Sequence, residues 1–199
     1  MKPQLLITLA LPVTIILTNL LALAFTDNTY KVYFKDSEKI HYVLNVISFI
    51  RVGTPLDASY FSPQANVHMQ DVDKLFECVK IANAIALFAL IAPCLYLGHK
   101  KKFVQLKKGV ILGLILTTLT VLLIFISALL NFNGAFTIFH EIFFRNDDWL
   151  FAPSDTLVTL FTLDFFTFFF QKLTTNILAT IFALLICVKF FPKNDSKNN

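Results

Sequence analysis

Four long apolar stretches divide this sequence. Because about 20 mostly apolar residues can cross the hydrocarbon core of a bilayer as a helix, each stretch predicts a membrane-spanning helix. Pro12 and Pro93 predict kinks in the first two, which membrane helices tolerate. We therefore predict an all-α membrane protein with four transmembrane helices in a single domain that comprises residues 1–199. The stretches cover residues 5–25, 75–97, 109–130 and 174–191.

The first apolar stretch has two interpretations. Lys2 precedes it, and residues 22–24 have the small-residue sequence at which secretory signal peptides are cleaved. The apolar region of a signal peptide has only about 7–15 residues, however, and this stretch is longer. We predict a retained helix, and the sequence leaves cleavage after Ala24 open.

The distribution of charge predicts the orientation of the helices. Charged residues make up 15% of the chain, against about 25% in soluble proteins, and most lysines cluster in residues 98–108 and in the C-terminal tail. Lysine and arginine beside membrane spans mark the cytoplasmic side, and of 13 acidic residues only Asp195 falls there. Both termini are therefore predicted to be cytoplasmic, and the net charge does not indicate nucleic-acid binding. The lysines concerned are Lys100, Lys101, Lys102, Lys107, Lys108, Lys189, Lys193 and Lys197.

The first outer segment, residues 26–74, contains two predicted helices. From residue 36 to residue 51 the apolar residues recur at helical spacing on one face. This amphipathic helix is predicted either to lie on the membrane surface or to cover a site. A break follows at residues 53–55, and Ser62-Pro63 starts a helix that continues through His68 into the second span. The apolar face consists of Ile40, Val43, Leu44, Ile47 and Ile50.

The second outer segment, residues 131–172, holds 12 of the 23 phenylalanines. Four of them recur at helical spacing and predict an extension of the third helix, bent at Gly134. A polar sequence follows at residues 145–149, and residues 156–171 predict a re-entrant or interfacial helix. The two outer segments together predict an extracytoplasmic cap of amphipathic and interfacial helices. Aromatic stripes of this kind usually indicate burial, although they also suit a site for acyl chains.

Two histidines are candidates for chemistry. His68 and His140 each lie just beyond a predicted span on the outer side, with acidic residues nearby. An imidazole titrates near neutral pH, so a pair of them could divide the roles of base and acid. The residues alone leave a structural role open, and that role is the commoner one. His41 and His99 are predicted to be solvated.

Other chemistries have weaker support. The sequence His140-Glu141 begins like a zinc-protease motif, but Phe144 stands where the second histidine is required, and we expect no metal or other cofactor. A mixed metal site of the two histidines with Asp71 and an aspartate of residues 147–148 stays a minor alternative. Cys78, Cys94 and Cys187 lie in apolar surroundings, which argues against a disulfide framework or a thiol nucleophile.

Two motifs resemble those of a bacterial family of small membrane proteins, the lipoprotein intramolecular transacylases (Lit). The first is HMQDV at residues 68–72, followed by Leu75. The second is FHEIFFRNDDW at residues 139–149, which continues through Pro153 to the paired aromatic positions after it. Size, number of spans and loop order are also similar over essentially the whole chain. Glu141 stands where the family often has another histidine.

The resemblance implies an activity and a site. Lit-type enzymes act at the outer face of the bacterial plasma membrane, without a cofactor, on diacylated lipoproteins. They move the sn-2 acyl chain of the diacylglyceryl group to the α-amine of the N-terminal cysteine. His68 and His140 match the family's proposed catalytic pair. Five further residues are predicted to bind or orient the substrate, with Asp71 orienting His68 and with Arg145 and Asn146 as donors to the carbonyl oxygen. They are Asp71, Arg145, Asn146, Asp148 and Trp149.

Two other functions compete with this one. In a non-catalytic membrane scaffold, the histidines would only tie the outer segments together, and Trp149 would anchor them at the membrane interface. In a metal-dependent membrane hydrolase, chelators would remove the activity. For the transacylase we expect membrane lipid and a lipoprotein as partners, no nucleic acid, and a monomer.

Overall fold

The chain folds into helices only. The computed structural model describes residues 2–35 and 38–192, and within them it contains eight α-helices and no strand. The predicted all-α class is confirmed. Asp36, Lys193, Asp195 and Lys197 lie outside the described residues. The helices are α1 (Pro3–Ala24), α2 (Asp27–Phe34), α3 (Ile40–Val52), α4 (Pro63–His99), α5 (Phe103–Leu130), α6 (Phe132–Phe143), α7 (Thr156–Leu160) and α8 (Leu163–Lys189).

Four of these helices, α1, α4, α5 and α8, are long and apolar enough to cross a membrane. In their most apolar windows only between 17% and 33% of the residues are buried inside the protein. Large apolar side chains such as Phe88 and Leu123 therefore point outward, which is unfavourable in water and favourable in lipid. The four predicted transmembrane helices are confirmed, and the protein is a multi-pass membrane protein.

Helix α4 is much longer than a membrane span. Its 37 residues correspond to about 55 Å, whereas the hydrocarbon core is about 30 Å thick. Charged residues occur along α4 up to Lys80, and residues 81–98 contain none. The embedded part is therefore the second half, and His68 lies in the polar first half. As predicted, the helix begins at Ser62-Pro63, where the Ser62 hydroxyl accepts a hydrogen bond of 3.1 Å from the backbone N–H of Ala65.

The described residues form two compact units. The first contains residues 1–20, 80–126 and 173–199 as far as they are described. Two partly buried polar contacts join its helices: the Thr18 hydroxyl donates to Asn83 Oδ1 over 3.1 Å, and Asn19 Nδ2 donates to Thr180 Oγ1 over 3.3 Å. Such side-chain bonds hold membrane helices together. The buried residues of its two hydrophobic clusters are Ile7, Leu11, Ile15, Leu97, Leu106, Leu114, Val121, Ile177 and Ile181.

Two glycines let α5 approach α1 closely. A Cβ atom at Gly109 would lie 2.9 Å from the carbonyl oxygen of Gln4, and one at Gly113 would lie 2.9 Å from Leu11 Cδ2. The Thr8 hydroxyl also donates to the Gly109 carbonyl over 3.2 Å. This is the close backbone approach that a Gly-x-x-x-Gly sequence permits between membrane helices.

The second unit contains residues 21–79 and 127–172. Helix α3 turns its apolar face into the core of this unit, so that face covers protein instead of lying on the membrane surface. Gly53, with φ of 74°, ends α3 in the left-handed conformation, as the predicted break requires. The buried core residues are Tyr30, Val43, Val46, Ile47, Ile50, Phe61, Ala65, Met69, Leu157, Leu160 and Phe165.

Three details of this unit differ from the sequence-based expectations. The bend expected at Gly134 is a break at Asn131, because the Asn131 side chain accepts a hydrogen bond of 2.9 Å from the Gly134 N–H and starts α6 as a separate helix. Residues 156–171 are not one re-entrant or interfacial helix: they comprise α7 and the start of α8. The short helix α2 was not predicted.

The glycine contact yields a stability prediction. Gly109→Ala should lower the free energy of unfolding relative to Gly98→Ala by about 1–3 kcal/mol, the usual cost of overpacking. Both changes favour the helix by the same intrinsic amount, but a Cβ at Gly98 meets nothing within 4 Å. Thermal unfolding in detergent measures the difference. Equal melting temperatures for the two variants would contradict this prediction, because they would show that α1 can move away from the added methyl group without loss of stability.

Candidate active site

The site is built around two buried histidines of the second unit. His68 comes from the first half of α4, and His140 comes from the last turn of α6. Their ring centroids are 6.0 Å apart, and the ring planes are inclined by 28°. His68 is 7% exposed and His140 is 8% exposed. The two predicted histidines are therefore neighbours, although they are far apart in the sequence.

Aromatic side chains surround both imidazoles. The centroid of Phe144 is 5.1 Å from that of His68 and 5.5 Å from that of His140. Phe151 is 5.5 Å from His68. Phe136 and Trp149 are 4.2 Å and 4.9 Å from His140. Most of the space that water would occupy around the rings is therefore filled by aromatic carbon.

The proton positions of the two rings differ. His140 Nδ1 is 2.8 Å from the carbonyl oxygen of Phe136. Because a carbonyl oxygen can only accept, Nδ1 must carry the proton in this bond, which leaves the Nε2 lone pair of a neutral ring free. His68 Nδ1 is buried and has no hydrogen-bond partner among the described residues. A buried polar atom without a partner is costly, and at a site it is a group that a ligand can satisfy.

Burial lowers the pKa of both histidines. The pKa of His68 falls from 6.5 to about 4, first because desolvation penalises the charged ring and second because His140 repels a positive charge, while Asp71 acts in the opposite direction. The pKa of His140 is also lowered by desolvation, and its bond to Phe136 opposes this shift. Both imidazoles are therefore neutral near pH 7 and able to accept a proton.

Asp71 holds the loop that follows α6 and does not bond His68. Its Oδ2 accepts a hydrogen bond of 2.8 Å from Asn146 Nδ2, and its Oδ1 accepts one of 3.0 Å from Lys74 Nζ. The expected direct orientation of His68 by Asp71 is thus replaced by a link between α4 and the loop. These two donors are the main reason that the pKa of the Asp71 carboxyl is lowered.

A second link comes from Gln64, which the sequence analysis did not single out. Its Nε2 donates to the carbonyl oxygens of Asp148 and Leu150 over 3.2 Å and 3.1 Å. Residues 64, 68 and 71 are four and three positions apart, so Gln64, His68 and Asp71 share one face of α4. The loop that carries Trp149 is therefore bonded to the helix on both sides of His68.

The other residues predicted to bind or orient the substrate do not all lie at the two imidazoles. The Asn146 amide is engaged by Asp71, and Asp148 contributes its backbone carbonyl to the Gln64 contact. Arg145 is exposed and makes no hydrogen bond or ion pair with a described residue. Within residues 2–35 and 38–192, no three His, Cys, Asp or Glu side chains are grouped to hold a metal ion, so the mixed metal site gains no ligand set.

The fold and the site define a class of protein, a multi-pass membrane protein with a buried histidine pair enclosed by aromatic residues. A search of curated proteins finds no match. The family described as lipoprotein intramolecular transacylase Lit matches residues 3–166. The chain therefore belongs to the Lit family. This family consists of acyl transferases that act on lipoproteins, so the predicted enzyme class is confirmed, and the predicted transfer from an ester to an amine agrees with the family's name.

Solved structures of one Lit protein have the same fold. The membrane-integral lipoprotein intramolecular transacylase Lit from Bacillus cereus is 19% identical to this chain, with a TM-score of 0.81 over 94% of each chain. A variant of that protein with a His-to-Arg substitution gives a TM-score of 0.78 at 18% identity, over 94% of this chain and 89% of the other. A His-to-Ala variant gives 0.77 at 17% identity, over 94% and 91%.

The lowered pKa of His68 yields a prediction for stability against pH. In the unfolded chain His68 becomes protonated below a pKa of about 6.5, whereas in the folded chain it becomes protonated only near pH 4. The free energy of unfolding therefore rises with pH between these two values. The total increase is on the order of 3 kcal/mol; it is fully present above about pH 6.5 and is lost as the pH falls toward 4. Thermal unfolding in detergent across this range measures the slope.

The matched variant is His68→Phe, which fits an aromatic site and does not titrate. It should lose most of this slope, whereas His41→Phe at an exposed position should keep it. A slope that persists unchanged in His68→Phe would contradict the assignment to His68.

Proposed function

We propose that this chain moves the sn-2 acyl chain of a diacylated lipoprotein to the α-amine of its N-terminal cysteine, with His68 and His140 as the catalytic pair. The observation that carries the proposal is the pair of neutral, water-shielded imidazoles with centroids 6.0 Å apart in a chain of the transacylase family. The protein works as a monomer and as one domain, in contact with membrane lipid and without a cofactor.

His140 takes the proton of the amine. Its Nδ1–H is fixed on the Phe136 carbonyl, which holds the ring in one orientation and directs the Nε2 lone pair away from that bond. The bond to Phe136 also opposes the lowering of its pKa, so of the two rings His140 is better suited to act as a base near neutral pH.

The proton transfers need no group other than the substrate and His140. The α-amine, with a pKa of about 7.7–8.0, is partly neutral at pH 7, and its nitrogen attacks the ester carbonyl carbon to form the C–N bond. The amine proton passes to His140, the ester C–O bond breaks, and the glyceryl oxygen leaves with a proton from the imidazolium. The products are an amide and a free hydroxyl group. Because amine and ester belong to one molecule, proximity is largely built in.

His68 binds the reacting groups from the other side. Its unpartnered Nδ1 can accept a hydrogen bond from a substrate N–H or O–H once the substrate has opened the aromatic contacts. With a pKa of about 4 the ring stays neutral throughout, so it does not compete with the α-amine for a proton at pH 7.

The surrounding residues position the substrate. Asp71 and Asn146 fix the loop after α6, the Asp148 carbonyl accepts from Gln64, and Trp149 lies beside His140. Arg145, which is exposed, is the donor with freedom to reach the developing oxyanion of the ester carbonyl. Aromatic residues around both rings provide an apolar surface for the acyl chain.

The site lies at the outer face of a bacterial plasma membrane, and both termini are cytoplasmic. The lysine-rich sequence between α4 and α5 supports this orientation. His68 lies in the half of α4 that carries charged residues, before the uncharged residues 81–98. The site would then stand at headgroup level, where the ester bonds of a membrane-anchored lipoprotein are found.

The histidine pair gives the decisive test of this function. His68→Ala and His140→Ala should each abolish the lyso-form product, measured by mass spectrometry of a diacylated lipoprotein peptide after incubation with the purified protein. His41→Ala and His99→Ala, at exposed positions, are the matched controls and should retain activity. Full activity in both site variants would leave the scaffold interpretation standing, and loss of wild-type activity on addition of a chelator would favour the metal-dependent hydrolase.

The contact made by Gln64 gives a second test. Gln64→Glu has the same size but places a carboxylate without donors against two carbonyl oxygens, so the loop should loosen and the rate fall about tenfold. Gln64→Lys keeps a donor and should recover part of the rate. Gln70→Glu, the same change at an exposed position of the same helix, is the control.

The single tryptophan reports on the loop directly. Trp149 is the only tryptophan in the chain, so its fluorescence should become more accessible to acrylamide in Gln64→Glu and stay unchanged in Gln70→Glu. An unchanged rate together with unchanged quenching would show that Gln64 does not position the loop.

A further inference from the structure

Helix α6 exposes four large apolar side chains in its second half. Ile138, Phe139, Ile142 and Phe143 are 56%, 44%, 68% and 51% exposed. Residues 138 and 142 are four positions apart, as are 139 and 143, so all four lie on one side of the helix. His140 lies on the other side and is buried.

This arrangement is the reverse of that on an amphipathic helix of a soluble protein. Such a helix turns its apolar side toward the core and its polar side toward water. In α6 the buried side carries the histidine, and four large apolar side chains face outward. An apolar surface of this kind marks a contact with a partner or with a membrane.

The exposed residues of α6 follow a membrane-spanning helix directly along the chain. Leu129 and Leu130, at the end of α5, are 74% and 80% exposed, and α5 is one of the four spans. Helix α6 starts at Phe132, only two residues later. Its 12 residues extend over about 18 Å, too short to cross a hydrocarbon core of about 30 Å.

We propose that α6 is an interfacial helix whose apolar side lies among the lipid acyl chains of one leaflet. The occupant of this surface is the membrane, because α6 starts two residues after the exposed apolar end of a membrane-spanning helix and because α6 has the length and the one-sided polarity of a helix that lies in the membrane plane. Glu141, which is exposed beside the apolar side chains, points toward the headgroups.

The placement has a consequence for the reaction, and this consequence rests on the proposed function. An interfacial helix sinks about 5–10 Å into the boundary between headgroups and acyl chains. His140 then stands one helix diameter from the lipid chains, at the depth of the ester bond of a membrane-anchored lipoprotein. The acyl chain can reach the histidine pair past α6 without leaving the membrane.

Quenching of tryptophan fluorescence by brominated lipid tests the placement without using the reaction. In a Trp149→Phe background, Ile142→Trp and Ile138→Trp each place a single tryptophan on the apolar side, and Glu141→Trp places one beside it. Each variant is reconstituted in phosphatidylcholine vesicles that carry bromine either near the headgroup end or near the methyl end of the acyl chains. Size-exclusion chromatography in detergent selects the variants that are folded.

Tryptophan at 142 or 138 should lose about half of its emission with bromine near the headgroup end, less with bromine near the methyl end, and little with aqueous iodide, because an interfacial helix inserts its apolar side only to the acyl boundary. Tryptophan at 141 should be quenched more strongly by aqueous iodide than by brominated lipid. Strong iodide quenching at both 138 and 142 would overturn the proposal, since the side would face water. Protection from both quenchers would also overturn it, since a second copy of the chain would cover the side. Neither result would bear on the proposed transacylase activity, which the His68→Ala and His140→Ala variants test separately.

Discussion

The desolvation of two neighbouring imidazoles is the constraint on which the rest of this structure depends. His68 and His140 are polar groups placed among aromatic rings, and His68 Nδ1 has no described partner, a state that costs about 1–3 kcal/mol. Burial keeps both rings neutral, which makes them acceptors at the pH at which a substrate amine begins to lose its proton. The desolvation of the two imidazoles thus destabilises the folded chain and at the same time suits the site to acyl transfer. Local features that cost stability are common at functional sites.

Other contacts offset this cost and fix the geometry. The loop after α6 has little regular structure, and its backbone is held to α4 by Gln64 and by the pair of Asp71 with Asn146. The start of α4 is held in turn, because the Ser62 hydroxyl donates over 2.7 Å to Asp155, the residue that caps α7. The segments around His68 are therefore held by short polar links within the second unit. The two imidazoles are surrounded mainly by aromatic rings, and His140 makes one hydrogen bond, to the carbonyl oxygen of Phe136.

The helices use apolar surface in two ways. In the first unit, glycines bring α5 against α1, and most of the apolar surface of the spans faces outward. In the second unit, α3 buries its apolar face in protein, whereas α6 exposes its own. An apolar side with the same helical periodicity thus packs into a protein core in α3 and, on our proposal, contacts lipid in α6. In α6 the buried side is the one that carries His140.

The sequence by itself determined the features that depend on local runs of residues. These were the four spans, the break at Gly53, the start of α4 at Ser62-Pro63, and, through the Lit motifs, the two histidines. The sequence analysis missed the Gly-x-x-x-Gly pattern at residues 109–113, at which α5 approaches α1 closely. Only the tertiary structure decided that Asp71 bonds Asn146 instead of His68, that Gln64 holds the loop, and which side of α6 is buried. Periodicity defines the two sides of a helix but not what packs against each, and a hydrogen bond between distant segments depends on how the chain brings them together.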